Sequence, residues 1–158
     1  MSLCPSELDD PDAIRDAAND LVKVFELVTQ TAADIKSTWS GLPAVYTAPE
    51  AGVVYQAMVK PVRYGDMLLV EGQRMYNAML GYAQDLEALK KVREQLIIDI
   101  AHEEALQENT WGAVEDAVEA AQGELLLLRV EQFETDLEAA QRRCANQLSN
   151  SWGGPTYL

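Results

Sequence analysis

Histidine, cysteine and cationic side chains are scarce in this sequence, and each shortage removes a class of function. The 158 residues hold one histidine, His102, and two cysteines, Cys4 and Cys144. Asp99 and His102 have the i, i+3 spacing of a helical carboxylate–histidine metal pair, but a di-metal bundle needs that pair twice, so one chain cannot complete it. There is no His-Glu-x-x-His, no Cys-x-x-Cys, no glycine-rich phosphate loop and no Ser/His/Asp set on a recognisable elbow. The expectation is a protein with no catalytic residues, no cofactor and no metal. Glu103-Glu104, Glu115-Asp116 and the pair Glu131 and Glu134 then read as solvated helix faces.

Twelve Lys and Arg stand against 26 Asp and Glu, a formal charge of −14. Such a surface repels phosphate backbones and anionic lipid, which argues against nucleic acid and bare membrane as partners. No run of eighteen apolar residues exists, so direct membrane insertion is not expected. The start, Met-Ser-Leu-Cys-Pro-Ser-Glu-Leu-Asp-Asp, lacks the basic and apolar regions of a signal peptide, so any export must use another route. The cysteines lie near opposite ends. A disulfide would contribute about 4 kcal/mol in the chain-entropy model if the ends met in space. Otherwise Cys4 is a free thiol and Cys144 a buried helical one.

What is present is helical pattern: 48% apolar and 24% charged residues is globular composition. Residues 1–9 read as an irregular lead-in. Asp10-Pro11 supplies an N-cap and a proline at the first helical position, with Asp12 near the positive end of the helix dipole. Ile14, Ala17, Leu21, Phe25, Val28, Ala32, Ile35 and Trp39 then form one apolar stripe at three- and four-residue intervals. Gly41 and Pro43 stop this helix. Leu42, Val45 and Tyr46 make the following loop apolar enough to pack, and Pro49-Glu50 restarts helix with Val53, Val54, Ala57 and Met58 as a short patch.

Pro61 is expected to kink or end that segment. Beyond it Met75, Met79, Tyr82, Leu86, Leu89, Leu96 and Ile100 keep close to a heptad seam, broken where Arg93 takes one position. Gly65, Gly72 and Gly81 weaken the early part of this helix by up to about 1 kcal/mol each unless they admit a close neighbour. A break at 107–112, around Trp111-Gly112, precedes a third long helix with two stripes. Val114, Val118, Ala121, Leu125 and Leu128 form one, and Leu126, Val130, Phe133, Leu137, Ala140, Cys144 and Leu148 the other. The run Leu125, Leu126, Leu127 and Leu128 points in every direction, so it is either deeply buried or offers one face to another chain, and it is the candidate interface. Ser151-Trp152-Gly153-Gly154-Pro155 ends the helix, and the last three residues read as a loose terminus or the start of a linker. The expected fold is all-α: an elongated antiparallel bundle of three long helices (about 10–39, 62–106 and 113–149) with a short helix at about 49–60, in a single domain spanning 1–158. The longest helix would run roughly 65 Å, and dimerisation along an exposed stripe would relieve the poor surface-to-volume ratio.

Trp39-Ser40-Gly41 set between two long antiparallel helices resembles the Trp-x-Gly (ESX-type) helical domains of type VII secretion substrates. The fuller set is Trp39-Ser40-Gly41-Leu42-Pro43-Ala44-Val45-Tyr46, then Ala48-Pro49-Glu50, Val54-Tyr55-Gln56-Ala57-Met58 and Pro61-Val62, closing with Gln141-Arg142-Arg143-Cys144-Ala145-Asn146-Gln147-Leu148. It resembles the N-terminal domains of actinobacterial secreted polymorphic toxins over roughly residues 10–148. The resemblance implies a non-catalytic targeting and helix-pairing module, the N-terminal part of a longer secreted protein. It would be cytoplasmic before export and exported folded as a homodimer, or as a heterodimer with a small Trp-x-Gly protein, by a secretion machinery that needs no signal peptide. Trp39, Gly41, Tyr46, Pro49 and Glu50 would be its turn and recognition residues. The family's Tyr-x-x-x-Asp/Glu export signal follows the hairpin's second helix, whereas the spacing match here, Tyr46 with Glu50, lies beside the turn and is interrupted by Pro49. No effector domain follows residue 150 in this sequence. A tryptophan at the end of an apolar stripe is more often packing than recognition, its ring closing a core end while the indole bonds a carbonyl, and the two roles are compatible. The alternative reading is a stand-alone structural or adaptor coiled coil that acts as a homodimer.

Overall fold

Three long helices pack side by side, with the middle one shared. The computed structural model describes residues 4–57, 59–109, 116–151 and 153–157, with backbone alone at 107–109 and 116–120. Helix α1 is Pro11–Ser40, a 3₁₀ turn follows at Leu42–Ala44, α2 is Ala51–Gln56, α3 is Val59–Asn109 and α4 is Asp116–Ser151. The start of α1 is as the sequence dictates: the Asp10 carboxylate accepts from the Asp12 amide at 3.1 Å, with Pro11 in the first turn. The predicted break at 107–112, Met58, Val114, Val118, Trp111 and Trp152 lie wholly or partly outside the described residues.

Pro61 neither ends nor kinks a helix. It occupies the third position of α3, where the amide it lacks would have had no intrahelical acceptor, so the break falls earlier and the short helix is Ala51–Gln56 rather than 49–60. The consequence is a 51-residue α3, about 75 Å long. It serves two partners in succession. Phe25 and Ala32 of α1 lie over Gly72 and Gly65, and Arg15 pairs with Glu87 at 2.7 Å, so α1 runs antiparallel over the first half of α3. Arg143 with Asp85 (2.8 Å) and Arg129 with Asp99 (2.6 Å) set α4 antiparallel over the second half. These exposed ion pairs fix register more than they add stability.

The core lies where the two pairings overlap. Leu86, Leu89 and Leu96 of α3 meet Phe133, Leu137 and Ala140 of α4, with Leu8, Ile14, Tyr82 and Val130 packed at its margin. The second α4 stripe is thus the buried one, and Leu125 and Leu128 of the first stripe face solvent. The irregularity at Arg93 has a cause: its Nε donates to the Ser6 carbonyl at 2.8 Å, while the Ser6 amide donates to Glu134 at 2.8 Å. Residues 4–10 are therefore a non-helical strap across α3 and α4, with Pro5 buried. Tyr82 is tied to the same segment, its hydroxyl donating to Asp9 at 2.9 Å, and burial first, then that bond, pushes its pKa up to about 12. The carboxyl-terminal tail is likewise not loose. Asn146 exchanges two hydrogen bonds with the Tyr157 backbone, and Gly153, in the left-handed region at φ 67°, reverses the chain. Both cysteines are free thiols, Cys4 exposed and Cys144 half-buried.

The glycines of α3 separate by surroundings. A Cβ on Gly72 would lie 2.3 Å from the Phe25 ring, whereas one on Gly81 would meet nothing within 4 Å. Gly72→Ala is expected to force the helices apart and destabilise by roughly 1–2 kcal/mol, while Gly81→Ala should stabilise by up to about 1 kcal/mol. Urea denaturation of the two variants checks the opposite signs.

Candidate functional site

The turn that joins α1 to α3 is held by side chains reaching back to backbone. Gly41 closes α1 with its amide donating to the Thr38 carbonyl at 3.3 Å, and Pro43 in the 3₁₀ turn cannot continue the helical ladder. Gly41 itself is right-handed, φ −79° and ψ −14°, and an added Cβ would make only an ordinary 3.5 Å contact. Backbone geometry therefore does not demand glycine at position 41, which leaves the space above the turn as what its missing side chain provides.

Trp39, half-buried at the end of α1, donates from Nε1 to the Val54 carbonyl at 3.0 Å. That carbonyl belongs to the last turn of α2 and also accepts from the Ala57 amide at 3.1 Å, so the indole adds a second donor and ties the end of α1 to the end of α2. Tyr55, also on α2, donates its hydroxyl to the Tyr46 carbonyl, and the Tyr46 hydroxyl donates to Glu50 at 2.8 Å. Glu50 sits at the N-cap of α2, but its carboxylate is committed to Tyr46 rather than to a helix amide. Pro49 is exposed beside it. Tyr46 and Glu50 thus bond each other within the turn instead of standing on one face of a continuous helix.

This bond holds the Glu50 carboxyl below its ordinary range, with the Tyr46 hydrogen bond the largest cause. A carboxyl whose folded pKa is depressed adds stability above its unfolded value, near 4.5, and loses it as the pH falls through the folded value. In Tyr46→Phe the Glu50 resonance is expected to titrate at higher pH, nearer that ordinary value. An NMR titration of the side-chain carboxyl in both proteins measures the difference.

Two shallow grooves meet at this turn. One, about 310 Å³, is lined by Lys36, Trp39, Ser40, Pro43, Tyr55 and Val59, and shares Val62 with the next. The other, about 360 Å³, runs along α1 over Leu27, Val28, Ala32, Ile35 and Pro61. Val24 and Leu27, which are 57% and 67% exposed, extend the apolar strip toward the middle of α1. Val28 and Ile35 sit at the edge of the expected stripe, and Val24, Leu27, Val28, Thr31 and Ile35 form a second stripe rotated from the first. Their i, i+3, i+4, i+7, i+11 spacing was available in the sequence.

The other sites lie far from this turn. Of the four leucines only Leu126 packs into the α3–α4 interface, at 7% exposure; Leu125, Leu127 and Leu128 are exposed. They are at the opposite end of α3. Asp99 accepts from Gln95 at 2.7 Å and from Arg129, and these bonds, Gln95 first, hold its carboxyl below the usual range. Among the described residues no group of three His, Cys, Asp or Glu side chains is gathered to hold a metal ion, and no helix is long and apolar enough to cross a membrane.

Neither protein-family models, curated proteins nor solved structures give a match to this chain. The turn and the grooves beside it are therefore read from their own chemistry.

Proposed function

We propose that this chain is a non-catalytic secretion-targeting and helix-pairing domain of a type VII (ESX-like) substrate, cytoplasmic until exported without a signal peptide. The observation that carries the reading is the α1–α3 hairpin: a turn locked by the Trp39 indole on Val54, beside an apolar strip that none of the described elements covers. A two-helix layer has an inner and an outer face, and the outer one here holds Val24, Leu27, Val28 and Ile35 from α1. A second helical hairpin, from another copy or from a small Trp-x-Gly protein, would complete a four-helix bundle there.

Charge favours this end of the molecule. Within residues 20–75, Asp20, Glu26, Asp34, Glu50, Asp66 and Glu71 face Lys23, Lys36, Lys60, Arg63 and Arg74, close to balance. Nearly all of the −14 lies elsewhere. Two chains paired through this end would keep their acidic ends apart. The Trp39 turn, carried at the tip of such a bundle, is the surface for the secretion machinery.

Val28→Glu places a charge in the strip at a position already 40% exposed, so the fold should tolerate it. Sedimentation velocity at micromolar to submillimolar concentration is expected to show a dimer for the parent chain, alone or with a small Trp-x-Gly protein, and a monomer for Val28→Glu with an unchanged melting temperature. A monomer under every condition would overturn the pairing. A stand-alone adaptor is favoured instead by a homodimer that stays in the cytoplasm of a host with an active secretion system.

A further inference from the structure

The end of the molecule opposite the Trp39 turn carries a groove of different chemistry. It lies between α3 and α4, about 480 Å³, with Ile98, Leu125 and Leu106 as apolar wall and Asp99, Glu103 and Arg129 as polar wall. Glu103 is only 9% exposed, and among the described residues its Oε1 is buried without a hydrogen-bond partner. An uncompensated carboxylate in that position is costly unless a donor or cation arrives. Among the described residues none provides one. Of the described residues lining the groove, Arg129 is the one Lys or Arg and is engaged by Asp99 at 2.6 Å, and His102 stands beside it. Between residues 94 and 131 the sequence holds ten carboxylates and no cationic side chain besides Arg129.

Apolar wall and uncompensated carboxylate lie on one surface. Ile98 is 61% and Leu125 60% exposed, flanking the groove on α3 and α4 respectively. A small cation would satisfy Glu103 and leave both side chains in water; an apolar helix would cover them and leave Glu103 buried and uncompensated. We infer that this groove docks a basic amphipathic helix of another protein, with a Lys or Arg reaching Glu103 and apolar side chains seated against Ile98 and Leu125. The acidic surroundings steer such a helix and reject acidic ones. This surface is separate from the α1–α3 pairing face and does not depend on it.

The test uses the full chain and two fluorescein-labelled amphipathic helical peptides with the same leucine face, one with lysine and one with glutamate on its flanks, followed by anisotropy. The lysine peptide is expected to bind in the micromolar range and the glutamate peptide not to bind. Glu103→Gln should weaken the lysine peptide at least about tenfold, while Glu124→Gln, the same change of charge at an exposed position, should change it less than about twofold. Leu125→Ser, an exposed position where folding is not at risk, should also weaken binding several-fold, by removing apolar contact. Because Gln keeps the shape of Glu103 without its charge, the melting temperature of Glu103→Gln should equal or exceed that of the parent. Equal losses for Glu103→Gln and Glu124→Gln, or binding indifferent to Leu125→Ser, would mean diffuse attraction to an acidic surface and overturn the proposal. So would the absence of binding by the lysine peptide.

Discussion

Phe133→Ala is expected to destabilise the protein by about 3–5 kcal/mol, the largest effect of any substitution considered, and to lower the melting temperature by roughly 10–15 °C. Phe133 is 1% exposed and sits with Leu86 and Leu96, both fully buried, at the level where α1, α3 and α4 overlap. Elsewhere the molecule is two helices thick and a cavity could partly relax by movement of one helix. Here α3 is flanked by α4, the end of α1 and the strap carrying Leu8, so collapse around the missing ring is restricted. Leu128→Ala on the same helix removes an exposed side chain and should change stability by less than about 0.5 kcal/mol. Thermal denaturation followed by circular dichroism separates the two. Similar losses would show that the core does not lie at the overlap.

The second large effect belongs to Trp39. Trp39→Ala should cost about 2–3 kcal/mol, less than removing a fully buried ring, because Trp39 is only half-buried and opens onto a groove. The carbonyl it leaves is not orphaned, since Val54 O also accepts from the Ala57 amide at 3.1 Å. Trp39→Phe keeps most of the ring and loses only the donor, a change of about 1 kcal/mol. Denaturation midpoints of the three proteins should rank parent, Phe, Ala. If Phe fell as far as Ala, the indole hydrogen bond rather than the ring would hold α1 to α2.

Legibility in the sequence followed the strength of each local signal. Asp10-Pro11 marked the start of α1 because capping chemistry is local, and the α3 heptad and second α4 stripe named Leu86, Leu89, Leu96, Phe133 and Leu137 in advance. Pro61 misled because the same residue breaks a helix interior and opens a helix first turn, and which applies depends on where the preceding turn ends. Arg93 read as a flaw in the seam until Ser6 arrived from 87 residues away. The tail was unreadable for the same reason: Asn146 and Tyr157 meet only after the chain reverses at Gly153.

At the turn, the sequence singled out Trp39, Gly41, Tyr46, Pro49 and Glu50, and the fold gathers them around the loop between α1 and α2. Val54 and the second tyrosine, Tyr55, belong to the wider run that carries the resemblance but not to those five, since a backbone acceptor can be chosen only by geometry. The burial of Glu103 was equally invisible. Glu103 and Glu104 are identical letters side by side, and a 100° step around the helix puts one against α4 and the other in water.

The most direct measurement of targeting is export. The chain, carrying a small epitope tag, is expressed in an actinobacterial host with an intact type VII system and in the same host lacking the secretion ATPase, and culture filtrate is compared with cell lysate. The account predicts tagged chain in the filtrate of the first host alone, with Gly41→Ala, whose added Cβ meets only an ordinary 3.5 Å contact and should leave folding unchanged, reducing its amount. Chain retained in the cells of both hosts, or released equally by both, would contradict it.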